Sequence, residues 1–188
     1  NENKKKKINN KIKLRYGENP NQKAHYLTSS KRNLFNSQLS GKNLGYNNIS
    51  DISDGLNCLK EFQEPTCVII KHNNPCGIAS ADNIESAYKK AIMSDPVSAF
   101  GGIVLFNKKI NTILAKKINS RFFEAIVAPK IYNKTLEILN VKKKLIIIDS
   151  YGIKNKEKQI FKSVNAGVLY QEENQYKVTK SKIKLASK

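Results

Sequence analysis

Lys71 and His72 stand side by side where the apolar run Thr66-Cys67-Val68-Ile69-Ile70 gives way to Asn73-Asn74-Pro75-Cys76-Gly77. A histidine with a near-neutral pKa can accept or relay a proton. A lysine beside it can stabilise an oxyanion or hand a proton to a leaving nitrogen. Ligands of open α/β sheets bind outside the carboxyl ends of strands, which is where this pair emerges. Neighbouring strand residues point to opposite faces, so both reach one ligand only across a bend. The Asn/Pro/Gly-rich stretch at 73–77 reads as that turn. A solvent-facing lysine beside a strand-capping histidine is the alternative, and local sequence leaves both open.

The same turn carries Pro75-Cys76, which resembles half of a zinc deaminase site. The second thiolate is missing, because Cys76 is followed by Gly77, Ile78 and Ala79. The His-x-Glu partner is missing too: His25 leads to Tyr26-Leu27, and His72 to Asn73-Asn74. A zinc ion needs several nitrogen or sulfur ligands, so no metal is expected. Cys58 and Cys67 fall in apolar segments and read as small hydrophobes. Cys76 lacks an identifiable third group to orient a Cys–His pair and is not expected to be a nucleophile.

Two other loops carry usable chemistry. Leu14-Arg15-Tyr16-Gly17-Glu18-Asn19-Pro20 sets an arginine and a tyrosine in a turn, suited to clamping an anion and stacking on a ring. Asp95-Pro96-Val97-Ser98-Ala99-Phe100-Gly101-Gly102 ends in two glycines, which permit close backbone approach to a ligand.

The elements that must hold these groups alternate along the chain. A helix opens at Asp51-Ile52-Ser53-Asp54, with Ile52, Leu56, Leu59 and Phe62 near helical spacing, and stops at Pro65. Residues 66–70 form a buried, β-branched strand. Asp82 or Asn83 caps a second helix with Ile84, Ala87, Tyr88 and Ala91 on one face. Strands follow at Ile103–Phe106, Glu124–Val127 and Leu145–Ile148. Helices lie between them, one capped by Asn111 and one over residues 132–140. Val164–Tyr170 reads as one further strand. This pattern predicts a layered α/β/α domain with a mostly parallel sheet. The expected organisation is a basic tail or linker at 1–13, the domain at 14–170, and a basic irregular tail at 171–188.

Composition narrows the function classes. The chain has 188 residues, 34 Lys+Arg against 15 Asp+Glu, and a formal net charge of +19. Such a charge invites nucleic-acid binding, but the only arginines are Arg15, Arg32 and Arg121, and arginine is the usual tool for phosphate and guanine recognition. Residues 1–13 hold six lysines and one glutamate, and residues 177–188 five lysines with no acid, so about half the excess sits at the ends. Those ends read as solvated tails. Three cysteines exclude a disulfide framework. No apolar stretch is long enough to cross a membrane, and the Lys4–Lys7 run is not followed by a signal-peptide core. A reducing, cytoplasmic setting is expected, and the absence of Met at position 1 suggests a mature or truncated product.

Five segments, LRYGENPNQ (14–22), GKNLGYNNI (41–49), KHNNPCG (71–77), DPVSAFGGI (95–103) and EAIVAP (124–129), occur in the order and with the separations of one family. Over residues 12 to 170 the chain resembles the formyltransferase domain of the bifunctional purine biosynthesis proteins (AICAR transformylase/IMP cyclohydrolase). The resemblance implies a cytidine-deaminase-like subdomain. It implies formyl transfer from 10-formyltetrahydrofolate, as co-substrate, to the 5-amino group of AICAR (5-aminoimidazole-4-carboxamide ribonucleotide). The product, FAICAR, leads to IMP.

By the same resemblance His72 is the proton acceptor and Lys71 stabilises the transition state. Arg15, Tyr16, Asn47, Gly101 and Glu124 match nucleotide-binding positions, with Arg15 suited to the ribose phosphate, and Phe100 shapes the pocket. A homodimer with active sites across its interface is implied, and neither a nucleic-acid nor a membrane partner. Asn21 stands where the family commonly has histidine. The upstream cyclohydrolase domain and the second half of the transformylase domain, with its folate-binding residues, are missing, so the expectation is a half-site inactive by itself. A basic nucleic-acid-binding module and a non-catalytic remnant of the enzyme are the alternatives.

Overall fold

The runs Cys67–Ile70, Ile103–Phe106, Ala125–Ala128 and Ile146–Ile148 are buried to the last residue, and strands of that kind need cover on both faces. A computed structural model, which describes residues 10–153 and 159–174, supplies it. Strands β1 (Asn10–Lys13), β2 (His25–Thr28) and β3 (Gln38–Ser40) precede helix α1 (Tyr46–Leu59). Strands β4 (Thr66–Lys71) and β5 (Asn74–Ser80) form a hairpin. Then come α2 (Ile84–Ser94), β6 (Ile103–Phe106), α3 (Thr112–Asn119), β7 (Ala125–Ala128), α4 (Asn133–Leu139), β8 (Ile146–Asp149), β9 (Gln159–Val164) and β10 (Gly167–Glu172).

Six strands make one sheet in the order β3-β8-β7-β6-β4-β5. β6, β7 and β8 are parallel neighbours. β4 runs against β6, and β5 runs against β4, which turns β5 back to the direction of β6. β3 runs against β8. Four of the six strands therefore share one direction within a mixed sheet.

Side chains alternate between two cores, as the period of a strand demands. Val68, Ile70, Leu105, Val127 and Ile148 meet Ile52 and Leu59 of α1 on one face. Cys67, Ile69, Val104, Phe106 and Ile126 meet α2, α3 and α4 on the other, through Ala87, Tyr88, Ala91, Leu114, Ile118 and Leu139. The result is the layered α/β/α arrangement. Asn83 caps α2 by accepting from the Ser86 amide at 2.9 Å, and Asn111 caps α3 by accepting from the Leu114 amide at 2.9 Å. Among the described residues no helix is long and apolar enough to cross a membrane.

Several local readings of the sequence are corrected. Residues 74–77 belong to strand β5, and only His72 and Asn73 turn the chain. Pro75 is tolerated because β5 is the sheet edge, and the register slips there, Ile69 facing Gly77 but Ile70 facing Pro75, which leaves Cys76 in a bulge. Helix α1 starts at Tyr46, earlier than Asp51, with Gly45 in extended conformation as its N-cap. The strands β1, β2 and β3 are too short and polar to leave a period-2 signal.

The chain divides into two compact units after Ile153. The second contains β9 and β10, an antiparallel hairpin with every strand residue exposed. The single strand expected at 164–170 is its joint: Val164 ends β9, Ala166 takes φ 58°, and Gly167 begins β10. Asn10–Lys13 of the expected basic tail form β1, while residues 1–9 and 175–188 of the two tails lie outside the described residues.

Candidate active site at one edge of the sheet

Pairing aligns Ile70 with Ile103, Ile103 with Ala125, and Ala125 with Ile146. The carboxyl end of β4 therefore lies level with the amino ends of β6, β7 and β8. Lys71 is the last residue of β4, and Gly102, Glu124 and Leu145 stand one residue before β6, β7 and β8. The expected residues therefore lie at the carboxyl end of β4 but at the amino ends of β6 and β7, because β4 is inserted antiparallel. At the opposite edge, where β7 and β8 finish, Asp149 accepts from the amides of Lys130 (2.9 Å) and Tyr151 (2.8 Å) and is already engaged.

Lys71 closes β4 and is half-buried. Its ammonium donates to the Phe100 carbonyl at 2.8 Å, tying β4 to the loop before β6. The hydroxyl and amide of Ser98, and more weakly the Lys71 charge, hold the Asp95 carboxyl below its ordinary range. Burial pushes the Cys76 thiol up, the nearby Lys71 charge opposing only in part, and its Sγ–H points to the Ile69 carbonyl at 3.6 Å. A thiol raised in this way is no activated nucleophile.

His72 and Asn73 both take left-handed conformations, φ 52° and 62°. Lys71 and Asn74 pair across them, so the two residues are the centre of a two-residue hairpin turn of the kind whose twist suits antiparallel strands. Asparagine and histidine tolerate positive φ better than most side chains. The turn puts His72 at the exposed tip. Asn73 fastens that tip to α1: its amide donates to Asp51 Oδ1 at 2.7 Å, and its side chain donates to Asp54 Oδ2 at 2.7 Å and to the Ser50 hydroxyl.

The loop bearing Arg15 and Tyr16 closes on itself, with the Gly17 amide donating to the Gln22 carbonyl at 2.8 Å. The Arg15 guanidinium carbon lies 5.7 Å from the Tyr16 ring centroid. Asn47, in the first turn of α1, donates to the Glu18 carbonyl at 3.3 Å and draws the loop to the same helix that holds the His72 turn.

Gly101 adopts φ +73°, and its amide donates to the Phe122 carbonyl at 3.0 Å. The Phe100 and Phe122 rings meet at 5.2 Å, leaving Phe100 63% exposed as a wall of this edge. Glu124 forms an ion pair with Lys42. Beside it opens a cleft of about 370 Å³ lined by Lys42, Phe122, Glu124 and the run Lys142-Lys143-Lys144. Lys42 and that lysine run line the cleft and were not singled out from the sequence. Three lysines directly before an apolar strand were the only local signal.

The expected residues thus fall into two groups. Arg15, Tyr16, Asn47 and the His72 turn are gathered by α1, while Lys71, Phe100, Gly101 and Glu124 line the strand ends. The Lys71–His72 peptide bond joins them. Among the described residues no three of His, Cys, Asp and Glu form a set able to hold a metal.

A family model described as AICARFT/IMPCHase bienzyme matches residues 1–188. The chain belongs to that family. The bifunctional purine biosynthesis protein PurH of Caldicellulosiruptor saccharolyticus is 48% identical over 169 residues, covering 86% of this chain and 33% of that protein. PurH of Fusobacterium nucleatum is 43% identical over 166 residues (87% and 33%), and that of Halalkalibacterium halodurans 39% identical over 180 (93% and 35%). This AICARFT/IMPCHase family member spans about a third of the length of the curated relatives it matches.

Proposed function

We propose that this edge is the nucleotide side of a formyl-transfer site that moves the formyl group of 10-formyltetrahydrofolate to the 5-amino group of AICAR. The observation that carries the reading is the Lys71–His72 junction, where an ammonium anchored on Phe100 adjoins an imidazole presented by a rigid turn.

The amine is a poor nucleophile, because its lone pair is delocalised into the imidazole ring and carboxamide. Attack on the formyl carbon forms a C–N bond and places negative charge on the formyl oxygen. His72 takes the proton released by the amine. The formyl C=O then re-forms as the C–N10 bond breaks, and folate N10 leaves with the proton that His72 took from the amine. An ammonium has three N–H donors, so Lys71 keeps two after its bond to Phe100 and can meet the formyl oxygen or N10. Arg15 serves the ribose phosphate, Tyr16 and Asn47 the nucleotide beside it, and Gly101 gives it close backbone approach. Glu124 accepts from nucleotide donors, with Phe100 as the wall. The positive field of the Lys42 and Lys142–Lys144 cleft draws an anionic substrate. On this reading the four lysines of the cleft serve small-molecule capture, and the nucleic-acid alternative is not favoured.

Grafting this chain in place of the matching 169 residues of the C. saccharolyticus relative tests the assignment. The chimera should form FAICAR, and His72→Ala should lower kcat by about 10²–10⁴, the range of general acid–base contributions. Turnover within a few-fold of the parent chimera would remove His72 from the chemistry. The 188-residue chain alone, which spans about a third of the relatives' length, should give no transfer.

A further inference from the structure

The turn that carries His72 is held by side chains with no chemical role in the reaction above. We propose that Asn73, Asp51 and Asp54 are positioning residues for His72: the two carboxylates of α1 grip Asn73 and fix the left-handed turn from which the imidazole meets substrate. The proposal rests on the reading of His72 as proton acceptor.

Three observations converge on it. Consecutive positive φ values at a histidine and an asparagine are locally costly, because neither is glycine, and such backbone persists only where its surroundings over-determine it. The over-determination is visible. Asn73 spends its backbone N–H on Asp51 (2.7 Å) and its amide on Asp54 (2.7 Å) and Ser50, all on one polar stretch of α1. Asn74 closes the turn from the other side by donating to the His72 carbonyl at 3.0 Å.

The spacing on α1 is what makes the grip possible. Residues three and four apart share a helix face, so Ser50 and Asp54 stand one turn apart, and Asp51 lies beside Ser50 on the same side. The buried face of α1, through Ile52, Gly55 and Leu59, is seated on the sheet. The carboxylates are therefore anchored to the core, and the hairpin tip inherits that anchorage. The same helix holds the Arg15–Tyr16 loop through Asn47. One rigid element thus sets the spacing between proton acceptor and nucleotide loop, and catalytic geometry of this kind tolerates little misplacement. Hydrogen bonds to charged acceptors are the strong ones, which suits two aspartates better than neutral residues.

The test uses the isotopically labelled 188-residue chain. The first readout is the intraresidue amide-to-Hα NOE at His72 and Asn73, intense only at positive φ, and the second is AICAR affinity by titration. In an Asp51→Ala/Asp54→Ala variant the NOEs should fall to coil intensity and the AICAR dissociation constant should rise about tenfold, the equivalent of one charge-assisted hydrogen bond. Asp51→Asn/Asp54→Asn keeps oxygen acceptors but removes their charge, and both signals should fall between those of the parent chain and of the double alanine variant. Asp54→Ala alone, which removes one side-chain grip on Asn73 and leaves the Asp51 bond in place, serves if the double alanine variant does not fold; it should keep the melting temperature and weaken the His72 NOE. Unchanged NOEs together with affinity within twofold in a folded variant would overturn the proposal. The NOE arm needs no ligand, so failure of the parent chain to bind AICAR would count against the functional reading alone.

Discussion

Lys71 keeps N–H donors to spare after its bond to Phe100. The three thiols stand in contrast. Cys67 is fully buried, and desolvation pushes its thiol far up; Cys58 and Cys76 are raised chiefly by partial burial. A raised thiol pKa means less thiolate at any given pH, and the thiolate is the reactive form. Iodoacetamide near pH 8, followed by peptide mass mapping, should label Cys58 and Cys76 more slowly than an unstructured thiol and leave Cys67 untouched. The sign of the linkage follows: as pH rises past the ordinary thiol range, the unfolded chain ionises Cys67 while the folded chain keeps it protonated, so stability falls. Rapid labelling of Cys67 in the folded chain would contradict the buried placement. At this scale the sequence was informative where residues are neighbours, as with Lys71–His72 and Arg15–Tyr16. The Lys42–Glu124 pair was not legible, because 82 residues separate its members and only the β3–β8–β7 pairing brings them together.

Between elements, approach distance decides. Helix α2 lies so close on β5 that a Cβ at Gly77 would sit 2.2 Å from the Ala91 carbonyl oxygen. A backbone oxygen cannot swing aside, so Gly77→Ala must push helix and strand apart. Overpacking of this kind costs about 1–3 kcal/mol, or a fall in melting temperature of roughly 2–12 °C at about 2–4 °C per kcal/mol for a chain of this size. Calorimetry showing an unchanged or raised melting temperature would mean that β5 does not hold this register. The buried strands β4, β6, β7 and β8 were readable within a residue or two, because four-residue β-branched runs between polar loops have few other uses. The edge strand β5 was not. Asn-Pro-Cys-Gly is turn chemistry in isolation and becomes a strand only because β4 offers an open edge and a bulge absorbs Pro75. Propensity was overridden there by pairing.

For the whole molecule, the layered architecture was legible from the alternation of apolar runs and amphipathic stretches, and the family from five segments in fixed order. Strand direction was not. Nothing in Thr66–Ile70 itself says that it runs against Ile103–Phe106, and that reversal sets which strand ends lie level with the end of β4. Once β4 is antiparallel to β6, the carboxyl end of one strand and the amino ends of three others share a rim. Every residue singled out for the reaction then lies on that rim, on α1 beside it, or in the Arg15–Tyr16 loop that Asn47 ties to α1. The claim that the rim binds the nucleotide is open to direct measurement. Amide chemical shifts of the labelled chain, followed during titration with AICAR, should move together at Tyr16, Lys71, His72, Gly101 and Glu124, and the changes should weaken in Arg15→Ala. Shifts clustered instead around Lys130, Asp149 and Tyr151 at the opposite edge, or none at millimolar AICAR, would contradict the account.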